Sequence, residues 1–173
     1  MKKKVLITGA SGFVGQLSID YFKKKYSLIL VDKHTLSVKN FFNIDITDYN
    51  KINNLIRKKK PDIILHYASE IFDNNNKSQI DNNNVQGTFN LIRSASENKI
   101  KNFIFTSTFS IFEKNYPYLL KETEPISCNN LYGLSKAETE RILLSADKKM
   151  NVIIFRCPVI VDKSRVHRLG VLF

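Results

Sequence analysis

The chain has no tryptophan, two cysteines, two methionines, four prolines and six glycines in 173 residues. So little glycine and proline excludes collagen-like and low-complexity architectures. Cys128 and Cys157 form no CxxC pair and read as reduced thiols of a cytoplasmic protein, not as a disulfide framework. No cluster of histidine, cysteine and carboxylate has ligand spacing, so no metal is expected. No apolar run approaches the roughly 20 residues of a membrane span. Lys2-Lys3-Lys4 followed by Val5-Leu6-Ile7 opens like a signal peptide, but the apolar run ends at Thr8-Gly9, too short for one. Acidic residues are also scarce, 16 against 27 basic ones, for a net charge of +11.

What is present suffices for one domain with a true core. The chain is 43% hydrophobic and carries 12 Phe and 7 Tyr, which excludes disorder. A chain of this length buries roughly 70% of its unfolded surface. The basic residues come in short runs: Lys2 to Lys4, Lys23 to Lys25, Arg57 to Lys60, and the tail residues Lys163, Arg165 and Arg168. With no zinc finger, RGG tract or aromatic-interleaved basic stripe, they read as solvated surface that can attract a phosphorylated small molecule. Neither a nucleic acid nor a membrane is expected as a partner.

Hydrophobic periodicity alternates between strand and helix. Lys4 to Ile7 is a short β-branched run, and Phe13, Leu17 and Tyr21 then recur at helical spacing. Ser27 to Val31 is a second apolar run ending at Asp32. Asp48 to Lys59 reads as an amphipathic helix with Ile52, Leu55 and Ile56 inward, stopped by Pro61. Ile63 to Leu65 is a buried strand and Asp81 to Asn98 a helix that the Asn82–Asn84 cluster starts. Phe103 to Phe105 is a strand, Asn130 to Asp147 a helix, and Val152 to Phe155 the last strand. Such alternation implies right-handed crossovers, a parallel sheet and an α/β fold, Rossmann-type and doubly wound, with helices on both faces.

Thr8-Gly9-Ala10-Ser11-Gly12-Phe13-Val14-Gly15 joins the first strand to the first helix. Glycines here allow a tight turn, close approach of backbone to a pyrophosphate, and packing of helix on strand. The helix N-terminus adds free N–H groups and a positive dipole end. Asp32 ends the next strand, 17 residues after Gly15. A carboxylate there can bond both ribose hydroxyls of an adenosine and repels a 2′-phosphate, which favours NAD over NADP. Lys33 beside it weakens that exclusion.

The Gly-x-x-Gly-x-x-Gly spacing resembles the extended short-chain dehydrogenase/reductase superfamily, and further segments follow in that family's order. Asn43-Ile44-Asp45-Ile46-Thr47-Asp48 is similar to the adenine-binding segment, and His66-Tyr67-Ala68-Ser69 to the turn that runs under the cofactor. Asn84-Val85-Gln86-Gly87-Thr88 is similar to the NVxGT helix, and Phe103 to Thr108 to the strand ending in a catalytic Ser or Thr. Tyr132-Gly133-Leu134-Ser135-Lys136 resembles the YxxxK signature, and Arg156-Cys157-Pro158 the RxP segment. Within the superfamily the likeness is to NAD-dependent nucleotide-sugar epimerases and dehydratases. It implies cofactor contacts from Gly9, Ser11, Gly12, Phe13, Val14, Gly15, Asp32, Asp45, Ile46, Ala68, Ser69, Tyr132 and Lys136. It implies catalysis by Thr108, Tyr132 and Lys136. It also implies a homodimer through the helices 81–98 and 130–147.

A YxxxK pair alone says little, since 7 Tyr and 21 Lys produce about one by chance, and Tyr21–Lys25 is a second. That second pair reads as helix packing plus a solvated lysine. Residues i and i+4 share a helix face, so the Lys136 ammonium is expected to stabilise the Tyr132 tyrosinate and lower its pKa. Tyr132 then exchanges a proton with a substrate hydroxyl while nicotinamide exchanges hydride with the same carbon. Thr108 would hydrogen-bond that oxygen, and Lys136 would also hold the nicotinamide ribose. His66 reads as a structural residue, Asp45 as an adenine contact or a turn residue, Asn84 as a helix-start residue, and Cys157 as small-residue packing near the cofactor.

The chain also departs from the resemblance. The Ser-Thr-Asp-Glu motif of 4,6-dehydratases is absent, Phe109 and Ser110 following Thr108, so elimination is not expected. Glu113 and Asp162 stand where glycines border the family's substrate pocket. Glu70 and Ile71 stand where the epimerase branch often has a lysine. Members are roughly twice as long, so a truncated product is expected: one domain over 1–173, with 163–173 beginning a missing substrate region. The function read is NAD-dependent epimerisation or oxidoreduction of a nucleotide sugar. The alternatives are reduction of another small carbonyl substrate, or a dinucleotide-binding module or remnant without catalysis.

Overall fold

The structure is a computed structural model that describes residues 2–71, 77–112, 119–146, 148–158 and 160. Glu113, Asp162 and the basic tail lie outside the described residues.

Six strands form one parallel sheet: β1 (Lys4–Thr8), β2 (Ser27–Asp32), β3 (Phe41–Asn43), β4 (Ile63–His66), β5 (Asn102–Thr108) and β6 (Asn151–Cys157), in the order β3-β2-β1-β4-β5-β6. Every neighbouring pair is parallel. The order reverses between β1 and β4, and such a switch point opens a crevice at the carboxyl ends of the strands. The helices are α1 (Phe13–Phe22), α2 (Tyr49–Lys59), α3 (Lys77–Ile80), α4 (Gly87–Glu97) and α5 (Leu131–Leu144).

The two faces of the sheet carry different cores. Leu6, Val31, Ile64, Phe103 and Phe105 pack against Ile52 and Ile56 of α2, Leu91 of α4 and Leu143 of α5. Val5, Ile7, Leu30 and Leu65 pack on the other side against Ile19 and Phe22 of α1. The doubly wound α/β expectation therefore holds. On β6, Val152 and Ile154 pack on the first core, while the alternating Ile153 and Phe155 are 37% and 54% exposed.

Local chemistry sets the helix ends. Asp48 caps α2 by accepting from the Lys51 amide at 3.1 Å, and Lys60 ends it in the left-handed region, just before Pro61. Asn130 caps α5 by accepting from the Gly133 amide at 2.6 Å. Four sequence expectations shift. β3 was not anticipated. The helix expected at 81–98 begins at Lys77 and passes without a break through a π-helical turn, Asp81–Gln86, so Asn84 lies inside it. Leu17 and Tyr21 of α1 face outward, 37% and 69% exposed, because Ile19 and Phe22 fill the groove over β1 and β2. Tyr21 therefore does not pack the helix down as expected, and its ring meets that of Phe22 edge to face.

A parallel sheet also gathers what precedes its strands along one edge. Lys2 to Lys4, Lys23 to Lys25, Lys58 to Lys60, Lys99 with Lys101, and Lys148 with Lys149 all lie at the amino ends of strands. That edge is opposite the crevice. Lys2 and Lys4 there donate to the Lys24 carbonyl, just past α1, and to the carbonyl of Lys59, the last residue of α2, at 2.7 and 3.0 Å.

Packing of α1 on β1 rests on Gly15. A Cβ there would stand 2.1 Å from the Gly9 carbonyl oxygen, a backbone atom that no rotamer change can move away. Gly15→Ala is expected to lower unfolding free energy by about 1–3 kcal/mol, with Gln16→Ala as a mild control. Urea denaturation checks this, and equal midpoints for the two variants would contradict the close packing.

Candidate active site

Four loops at the carboxyl ends of the strands wall one groove. After β1, Gly9 takes φ +70°, and its Cβ would lie 2.5 Å from the Ala68 nitrogen in the loop after β4. Only glycine serves there, both for its φ and for the contact. The Gly12 amide closes the turn on the Gly9 carbonyl at 3.1 Å, and Gly12 begins α1 with no side chain to cap it. At the end of β2, the Asp32 carboxylate accepts from the Ser11 and His34 amides, each at 2.9 Å. After β3, Asp45 accepts from the Thr47 amide and hydroxyl at 2.9 and 2.8 Å, a turn of its own making. Asn90 of α4 holds the same segment by donating to the Ile46 and Thr47 carbonyls.

Gly9, Ser11, Gly12, Asp32, Asp45, Ile46, Ala68 and Ser69 thus share one groove. Phe13, Val14 and Gly15 are not in its walls. They form the first turn of α1 behind it.

A second set of side chains lies beside the groove. The Tyr132 hydroxyl lies near the side chains of Thr108, at the end of β5, and Ser69, in the groove wall, close enough for both to lower its pKa. Thr108 accepts from the Ser110 amide at 3.1 Å and so starts the 3₁₀ turn Phe109–Ile111. Gly133 lets α5 approach that turn, since a Cβ there would lie 2.4 Å from the Ser110 carbonyl oxygen. Lys136, 2% exposed, donates from Nζ to the Thr106 carbonyl at 2.9 Å and sits 4.5 Å from the centre of the Phe105 ring.

The electrostatics differ from the sequence expectation in one respect. Burial pushes the Tyr132 phenol above its ordinary value, and hydrogen bonds from Ser69 and Thr108 offset only part of this. Burial also depresses Lys136, to about 7, against smaller opposing effects of Cys157 and Glu140. The ammonium meant to lower Tyr132 is thus itself costly to charge, and it points to the Thr106 carbonyl. His66 is buried between the hydroxyls of Thr8 (2.6 Å) and Thr88 (2.8 Å). Burial, with the Lys136 charge adding, lowers it to about 3, so it stays neutral and structural, as expected.

With this geometry in view, the comparisons with known proteins are specific. Residues 5–167 match the NAD dependent epimerase/dehydratase family. The chain belongs to that family. It is 28% identical to dTDP-D-glucose 4,6-dehydratase of Dictyostelium discoideum, covering 94% of this chain and 43% of that protein. It is 24% identical to UDP-glucose 4-epimerase of Drosophila melanogaster, covering 88% and 51%. The UDP-Glc/GlcNAc 4-epimerase of Campylobacter jejuni superposes with a TM-score of 0.82 at 28% identity, covering 89% of this chain and 53% of that one. Bordetella bronchiseptica WbmG, solved in complex with NAD, shares the fold with a TM-score of 0.83 at 21% identity, covering 90% and 53%. The chain spans about half the length of the relatives it matches.

Three further residues bear on the site: Asn84 and Cys157, to which the sequence assigned other roles, and Glu140, which sequence reading did not single out. Asn84, 2% exposed in the π-helical turn, accepts from the Glu70 amide at 2.7 Å. Its amide donates to the Glu70 carbonyl and to Ser135 Oγ, both at 2.9 Å. One buried amide therefore clamps the loop after β4 to α5, and the helix-start role expected of Asn84 gives way to this one. Glu140, 2% exposed, accepts from Ser107 and pairs with Arg156 at 2.8 Å. Spacing could have revealed it, since Tyr132, Lys136 and Glu140 follow one another at i+4 on one face of α5. Cys157 is half-buried, and burial raises its thiol pKa while the Lys136 charge opposes this.

The depressed Lys136 predicts a pH dependence of stability. Below about 7 the folded chain carries a buried ammonium that the unfolded chain holds in water. That burden is full there and lifts as pH rises towards the ordinary 10.5, because the unfolded state binds more protons across the interval. Thermal melts between about pH 7 and 8.5, below the range where Cys157 titrates, are expected to show stability rising with pH. The slope should flatten in Lys136→Met, and an equal slope in both proteins would count against the buried charge.

Proposed function

We propose that the groove binds NAD and that Thr108, Tyr132 and Lys136 act on the hydroxyl carbon of a nucleotide-linked sugar, as in epimerisation or a related oxidoreduction. The observation that carries this reading is the placement of Tyr132, beside Ser69 in the groove wall and Thr108 at the end of β5. The groove's residues fit a dinucleotide. A bare backbone turn at Gly9 to Gly12, an uncapped helix start and the Asp32 carboxylate suit a pyrophosphate and an adenosine ribose. In this reading Asp45 and Ile46, in the groove wall, take the adenine, and Phe13 and Val14 contribute only from the helix start behind it.

Bound nicotinamide supplies the hydride acceptor and donor. The chain's own residues do the rest. Tyr132, in its ionised form, takes the proton from the sugar hydroxyl and returns it. Thr108 orients that oxygen. Lys136, with its pKa near 7, sits one helical turn from Tyr132 and can change charge in the working pH range. Phe109 and Ser110 follow Thr108, so no acid stands in place for elimination, which favours epimerisation or oxidoreduction over dehydration.

A second reading is a dinucleotide-binding module without turnover, favoured by burial that raises the Tyr132 phenol and weakens the Lys136 ammonium. Both readings suit a cytoplasmic protein. No helix among the described residues is long and apolar enough to cross a membrane, and Cys128 and Cys157 form no disulfide.

Calorimetric NAD titration and hydride exchange with UDP-sugars test the assignment. Tyr132→Phe is expected to bind NAD within about threefold of the parent and to lose at least about 10²-fold in exchange. Full exchange by Tyr132→Phe would refute the catalytic assignment. NAD binding with no exchange in the parent chain would establish the module reading instead.

A further inference from the structure

Two segments face each other across the groove, residues 32–34 at the end of β2 and 68–70 after β4, and hydrogen bonds to their backbones pin both. Asp32 accepts from the Ser11 and His34 amides, and Asn43 donates to the Lys33 carbonyl at 2.9 Å. On the other bank, Asn84 bonds both the amide and the carbonyl of Glu70. From these anchored backbones Lys33 Nζ reaches Glu70 Oε2 at 3.1 Å, with the two side chains 36% and 29% exposed. Both residues line the groove.

Partly exposed ion pairs stabilise a fold little. This one matters by where it lies. Lys33 adjoins Asp32, the carboxylate proposed for the ribose hydroxyls. A carboxylate there repels a 2′-phosphate, and a nearby cation recruits one. The sequence presents both groups side by side.

We infer that Glu70 decides between them. By pairing with Lys33 across the groove, it keeps the ammonium from a ribose 2′-phosphate and makes NAD the preferred dinucleotide over NADP. Asp45, the other carboxylate on this rim, already accepts from Thr47 and leaves Lys33 to Glu70. The inference rests on the dinucleotide binding proposed above.

The test is calorimetric titration of NAD and NADP into the parent chain, Glu70→Gln, Lys33→Gln and the double variant. The Asn84 bonds go to the Glu70 backbone, so Glu70→Gln leaves the clamp in place, and a thermal melt verifies that it folds. Glu70→Gln is expected to raise NADP affinity relative to NAD by about three- to tenfold, a gain that shrinks with added salt. The double variant should return to the parent's ratio. A ratio in Glu70→Gln equal to the parent's, or an equal gain in the double variant, overturns the inference while leaving dinucleotide binding intact. A parent chain that binds neither dinucleotide overturns both.

Discussion

Two backbones meet at the centre of this molecule with no room for a side chain between them. Gly9, after β1, lies against Ala68, after β4, so closely that a single Cβ would overlap the Ala68 nitrogen. β1 and β4 are the neighbours between which strand order reverses, so their loops leave the sheet on either side of a crevice. Gly15 repeats the constraint one level back, pressing α1 onto the same turn. The groove, the tie of Asp32 to Ser11 and the position of Ser69 beside Tyr132 all depend on that contact.

Charge is distributed by topology more than by amount. The net charge is +11, yet the lysine runs that create much of it precede strands and collect on the edge away from the groove. Near the groove the charges are few and engaged. Asp32 and Asp45 accept local amides, and Lys33 meets Glu70. A whole-chain charge therefore says little about what this site attracts, because partners within a few ångströms outweigh distant, screened ones.

The tyrosine helix joins the site to the core. One face of α5 presents Tyr132, then Lys136, then Glu140, each a turn further from the groove. Tyr132 meets Thr108 and Ser69, Lys136 meets the Thr106 carbonyl, and Glu140 meets Ser107 and Arg156. A polar stripe runs along β5 where an apolar one would otherwise pack. Buried polar groups need such complete partnering, and their mutual bonds fix the register of α5 on the sheet. Asn84 adds the other tie, from α5 to the loop after β4.

Much of this was legible in the residues themselves. The strand and helix periods, the helix starts at Asp48 and Asn130, the glycine turn and the inward faces of Ile52, Leu55 and Ile56 are consequences of neighbours two to four positions apart, and local sterics settle them. The tertiary structure decided what distant neighbours control. It turned Leu17 and Tyr21 outward, carried the helix through Asn84 as a π-helical turn, and paired Glu140 with Arg156. It also set the direction of the Tyr132 shift, for which spacing to Lys136 suggested the opposite sign. Burial raised the phenol and weakened the ammonium together. Desolvation depends on what the whole fold packs around a group, and segments tens of residues away in the chain supply that packing here.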